Sequence, residues 1–94
     1  AIIGTPGISH HGLTADDVHT VQQVESLIKK VREIIIVADS SKIGREGIYP
    51  MRSIKKIKRD IKIGKIYTLV TVKNRENEEE LERLKNLGFN IILA

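Results

Sequence analysis

The 94-residue sequence predicts an α/β domain: a mostly parallel sheet with helices on its faces. Three observations carry this. Apolar, strand-like runs alternate with amphipathic helical stretches along the chain. The central run Ile34-Ile35-Ile36-Val37-Ala38 is almost entirely β-branched with no polar alternation, the mark of a parallel strand covered on both faces. Polar loops follow two successive strands, over residues 4–12 and 39–47, as at the carboxyl ends of such a sheet.

Each element follows from its residues. Ile2-Ile3 reads as the end of a buried strand that runs into a glycine-rich loop. Thr14, with Asp17 three residues later, makes a capping-box-like start for a helix, and Asp16 and Asp17 suit the positive end of its dipole. Val18, Val21, Val24, Ile28 and Val31 then recur at helical spacing, and Lys29, Lys30 and Arg32 suit the helix C-terminus. After the second strand and its loop, residues 48–51 form a short strand that Pro50 confines to an edge. Residues 52–65 stay open between helix and strand, because Ile54, Ile57, Ile61 and Ile63 mix both spacings before Gly64 ends the segment. Residues 66–72 read as a further buried strand. Asn77 with Glu80 caps a helix carrying Leu81, Leu84 and Leu87, closed by Gly88 in the left-handed position, and residues 89–93 are the last strand.

Composition excludes several classes. A chain of this length forms one domain and buries about two thirds of its unfolded surface. With no Trp, one Phe and two Tyr, the core must be aliphatic. The absence of Cys excludes disulfides and thiolate metal sites. No apolar run approaches the roughly 20 residues that span a bilayer. The chain opens on Ala1-Ile2-Ile3-Gly4 with neither Met nor a charged leader, so it is expected to be a piece of something longer, without a signal peptide. Lys and Arg number 16 against 12 Asp and Glu. The excess sits in Arg52, Lys55, Lys56, Lys58, Arg59, Lys62 and Lys65, a run that either attracts phosphate-bearing partners or forms a solvated face. No aromatic platform, helix-turn-helix or zinc-finger pattern accompanies it.

Two stretches hold the residues that could carry chemistry. In "IIGTPGISHHG", Gly4, Gly7 and Gly12 let backbone approach a ligand, but their spacing fits neither the dinucleotide fingerprint nor the P-loop. The stretch is either an anion-contacting loop or a plain strand-to-helix turn. His10, His11 and His19 do not converge on one ion from regular elements, so no metal and no cofactor is assigned. No serine sits in a nucleophile elbow. The second stretch, "IIIVADSSKIGREG", delivers Asp39, Ser40, Ser41, Lys42 and Arg45 within seven residues at the end of a buried strand. Hydroxyls and an ammonium there suit a phosphate or a sugar hydroxyl. The alternative is a solvated turn in which Asp39 and Ser40 bond local backbone amides.

Ala38-Asp39-Ser40-Ser41-Lys42-Ile43-Gly44 resembles the A-D-x-S-K-F-G motif in the C-terminal effector-sensing domain of DeoR-type transcriptional repressors. Ile2-Ile3-Gly4, Gly7-Ile8-Ser9 and Gly12-Leu13-Thr14 resemble the same family's glycine segment, and the closing Gly88–Ala94 stretch is similar too. The resemblance implies a fold like that of ribose-5-phosphate isomerase and the coenzyme A transferases. It also implies a non-enzymatic, cytoplasmic, oligomeric regulator that releases DNA when a phosphorylated sugar binds. By that similarity Ser41 and Lys42 contact the phosphate or sugar, beside Asp39 and Ser40, while Gly4, Thr5 and Gly7 line the same pocket. The family's sensor extends further at its N-terminus and carries a DNA-binding winged helix, so residues 1–94 are expected to be a single partial sensor domain. Where the family has a basic residue near the middle of the first helix, this chain has Gln23-Val24-Glu25. A sugar-phosphate isomerase of the same fold would need a carboxylate base, for which Asp39 and Glu46 are the candidates. A half-sheet acting as a self-association module is the third possibility.

Overall fold

A computed structural model describes residues 1–94. The chain builds two sheets and three helices. Strands β1 (Ile2–Gly4), β4 (Glu33–Val37), β6 (Ile66–Thr71) and β7 (Asn90–Leu93) form a parallel sheet in the order β1-β4-β6-β7. Strands β2 (Gly7–Ser9), β3 (Gly12–Ala15) and β5 (Tyr49–Ser53) form an antiparallel one in the order β2-β3-β5. The helices are α1 (Val18–Lys30), α2 (Ile54–Lys62) and α3 (Glu78–Asn86), with a single 3-10 turn at Ser40–Lys42. The α/β class and a parallel principal sheet are as expected; the antiparallel sheet is an addition.

That addition corrects the glycine stretch. Residues 7–15 are a β-hairpin, with Ser9 paired to Gly12 and His10-His11 forming the connection. Thr14 is therefore a strand residue, and its hydroxyl accepts from the Gly47 amide at 2.7 Å rather than capping a helix. Asp17 alone caps α1, accepting from the Thr20 amide at 2.7 Å and the Thr20 hydroxyl at 2.8 Å. These two bonds hold the Asp17 carboxyl below its ordinary range.

Residues 52–65 resolve into the end of β5 followed by α2. Ser53 caps the helix by accepting from the Lys56 amide. Ile57 is fully buried, with Ile54 and Ile61 packed beside it, while Ile63 lies beyond the helix and is 72% exposed. Helical spacing wins because the one isoleucine that breaks it is not in the core. Lys55, Lys56, Lys58, Arg59 and Lys62 are all exposed on α2. Lys65 instead donates to the carbonyls of Ile28 and Val31 at the negative end of α1.

At α3 the expected capping box is absent. Asn77 and Asn74 exchange bonds, each side-chain oxygen accepting the other's amide at 2.9 Å, and Glu80 turns away to the hairpin. Gly88 does end the helix at φ 112°.

The core explains what positions the strand ends. Each crossover of the parallel sheet moves one strand in the same direction, and right-handed connections then place the intervening elements on one side. On that side Ile3, Ile36 and Leu69 lie in one row and pack with Val24 and Ile28 of α1, Ile57 of α2, and Leu81 and Leu84 of α3. The other face carries Ile2, Val37, Ile66 and Ile92, all exposed. The β-branched run of β4 is thus covered on one face here, with Ile34 and Ile36 buried and Val37 49% exposed.

Candidate functional site

β1 and β4 run side by side in parallel, with Gly4 opposite Val37, so the turn after β1 and the loop after β4 leave the sheet together. This brings Gly4, Thr5 and Gly7 to the same end of the sheet as Asp39, Ser40, Ser41 and Lys42.

In the second group, Asp39 opens the 3-10 turn. Its carboxylate accepts from the Ser41 amide at 2.9 Å and from the Ser41 hydroxyl. The Lys42 ammonium stands 4.0 Å away on the other carboxylate oxygen. The Ser41 hydroxyl, the Ser41 amide and then Lys42 hold Asp39 well below the usual carboxylate range, so it is ionised at neutral pH. Lys42 is half-exposed and Ser41 is exposed. The alternative of a local capping turn is therefore realised for Asp39, while Lys42 still reaches solvent.

The first group is held by a side-chain hydroxyl and by close packing. Thr5 is buried, and its hydroxyl donates to the Gly7 and Thr14 carbonyls at 2.9 and 3.2 Å, which ties the turn to the hairpin. Gly7 is required by close approach, since a Cβ there would stand 2.4 Å from the Arg45 carbonyl oxygen. Gly4 is exposed at the strand end.

The remainder of the loop is stitched to the hairpin. Ile43 bridges to Ile8, the Gly44 amide donates to the Ile8 carbonyl at 2.7 Å, and Arg45 donates to the Pro6 carbonyl. Arg45 also pairs with Asp16 at 3.2 Å, and His11 pairs with Glu46. The two loops form one ledge at the carboxyl ends of β1 and β4, the end at which open α/β sheets bind ligands, with Ser40, Ser41 and Lys42 reaching solvent on it. The marked depressions of the surface lie elsewhere: a groove of about 970 Å³ against α3 and β7, and a smaller hollow beside His10, Arg83, Asn86 and Leu87.

A family model, DeoR C terminal sensor domain, matches residues 1–62. The chain belongs to the DeoR C-terminal sensor family. The match contains both loops of the ledge and stops at the end of α2, so the Gly88–Ala94 resemblance lies outside it. No curated protein and no solved structure matches the chain. Membership makes this chain the effector-binding type of module found in DeoR regulators. No helix is long and apolar enough to cross a membrane.

One contact near the DeoR-type ledge has no sequence signal. The largely buried Glu80 carboxylate accepts from the His10 amide at 2.6 Å, from His10 Nδ1–H at 2.8 Å and from Arg83 at 3.0 Å, fastening the hairpin connection to α3. Burial raises the Glu80 carboxyl pKa, but the bonds from His10 and Arg83 outweigh it and hold the carboxyl below its ordinary value of 4.5. Its contribution is complete above the unfolded pKa and is lost as pH falls through the folded one. Glu80→Gln is expected to cost about 1–2 kcal/mol at neutral pH, and the gap from the parent should narrow as pH falls below the ordinary value of 4.5. Urea denaturation of both proteins across that range checks this; a gap that widens in acid contradicts it.

Proposed function

We propose that this chain is the sugar-phosphate-sensing part of a DeoR-type transcriptional repressor, and that the effector sits on the ledge formed by residues 4–7 and 39–42. The observation that carries the reading is the Ser40–Lys42 turn at the carboxyl end of β4, beside the turn that follows β1. Lys42 supplies positive charge and the Ser40 hydroxyl a donor for a phosphate. Asp39, ionised, accepts from a sugar hydroxyl and orients Ser41. Gly4 presents backbone to the same ligand, and the buried Thr5 and Gly7 shape the turn beneath it. Its role is regulatory, without a cofactor and without catalysis. The whole protein is a cytoplasmic homo-oligomer that meets DNA through a winged helix outside these residues and controls sugar-metabolism genes.

Thermal unfolding with a panel of sugar phosphates tests the reading. One member should stabilise the chain, by about 2.7 kcal/mol when present at 100 times its dissociation constant. Lys42→Ala should weaken that ligand by about tenfold or more while leaving the unliganded midpoint nearly unchanged. No stabiliser at millimolar concentration, or an equal response in Lys42→Ala, would overturn it.

A further inference from the structure

The parallel sheet ends at β7, which pairs with β6 on one side only. The Ala94 amide donates to the Thr71 carbonyl at 2.8 Å, so by strand alternation Asn90 and Ile92 also turn their backbone groups toward β6. The N–H and C=O groups of Ile91 and Leu93 then point outward. Such edges are ordinarily blunted by shortness, Lys, Pro or a bulge. Asn90-Ile91-Ile92-Leu93 is short but carries none of the other three, and Ile92 and Leu93 are about half exposed.

The large groove runs along this edge, between β7 and α3. Leu81 and Phe89 are buried beside it, and its charged lining comprises three acids, Glu78, Glu79 and Glu82, and three bases, Lys73, Arg75 and Lys85. The balance gives a strongly charged foreign segment no net attraction. The arrangement is polar, however: α3 is acidic in its first turn and basic in its last. A surface with opposite charges at its two ends is complementary to its own copy turned end for end.

We propose that β7 is a self-pairing edge. Two copies meet β7 to β7, antiparallel about a two-fold axis normal to the sheet, which joins two four-stranded sheets into one. Glu78 pairs with Lys73 of its own chain at 3.5 Å, which leaves Glu79 at the acidic end. The axis keeps both α3 helices on the same side and antiparallel, so Glu79 of each copy faces Lys85 of the other, over a seam of Ile91 and Leu93 backbone bonds. β7 and α3 lie outside residues 1–62, so this interface does not rest on the effector reading.

Light scattering and sedimentation of the chain test it. The parent should have twice the 10.6 kDa chain mass at hundreds of micromolar. Leu93→Pro deletes an outward donor from an exposed position without touching the β6 ladder, and should weaken the dimer by about tenfold or more. Glu79→Lys should do the same through charge. The double variant Glu79→Lys with Lys85→Glu should restore the dimer, whatever happens to the fold of the proline variant. A monomeric parent, association that survives both single variants with circular dichroism intact, or association abolished instead by Val37→Lys on the open face would overturn the proposal. So would failure of the charge swap to rescue.

Discussion

Replacing Arg52 with alanine should remove about 3–5 kcal/mol of stability, the usual consequence of stranding buried carboxylates. Arg52 leaves β5 with its side chain only 10% exposed. Its Nε and one terminal nitrogen donate to Asp60 of α2 at 2.9–3.1 Å, and its other terminal nitrogen donates to Glu25 of α1 at 2.9 Å. Tyr67 of β6 completes the cluster by donating its hydroxyl to Asp60 at 2.6 Å. Burial, then the bond to Asp60, push the Tyr67 phenol well above its ordinary value, so it remains a donor at any working pH. Four elements meet in this cluster, two of them bonded directly to the guanidinium. Without it, Asp60 and Glu25 remain in a region that water reaches poorly, and a domain of this size has only about 5–15 kcal/mol in total. Arg52→Lys keeps the charge but not the planar fork, and should fall between parent and alanine variant. Urea denaturation gives the values; a loss below about 1 kcal/mol for the alanine variant would contradict this account.

Gly12→Ala should cost about 3 kcal/mol or more, through strain and collision together. Gly12 has φ 124°, a backbone conformation L side chains rarely adopt. A Cβ there would stand 2.2 Å from the Arg52 carbonyl oxygen and 2.8 Å from the Ile54 nitrogen, both rigid backbone. Relief requires opening the β3–β5 pairing at Gly12 and Ser53, next to Arg52 itself. Thermal unfolding measures the loss. Gly4→Ala is the internal control, since the nearest atom to its Cβ is 4.0 Å away and its exposed position should make the change cost less than about 0.5 kcal/mol.

The principal sheet was legible because its strands are apolar runs separated by recognisable helices, and the stripe from Val18 to Val31 left no other reading for α1. The hairpin was not. Its strands are three and four residues long, too short to show alternation, and His10-His11 lacks the Asn-Gly or Asp-Gly chemistry that announces a tight turn. Thr14 then mimicked a cap because it precedes a genuine helix by four residues. The α2 segment was ambiguous because Ile63, outside the core, sits among isoleucines that are in it. At the site, the placement of Asp39–Lys42 at a strand end was readable from the buried run before it, and so was the local cap. The contacts of Glu80 with His10 and of Glu25 with Arg52 were not, since they join residues 70 and 27 positions apart and depend on how helices pack. Glu25, which stands where the resemblance led one to expect a base near the ligand, is occupied by Arg52.

In the proposed function the effector rests on the ledge at the carboxyl ends of β1 and β4. Titrating the isotopically labelled chain with the stabilising sugar phosphate, and following its backbone amides by NMR, tests this most directly. Saturable shifts are expected at residues 4–7 and 39–45 alone, with those of Ser41 and Lys42 among the largest. Shifts centred on the α3–β7 groove, with the Ser40–Lys42 turn unmoved, would contradict it.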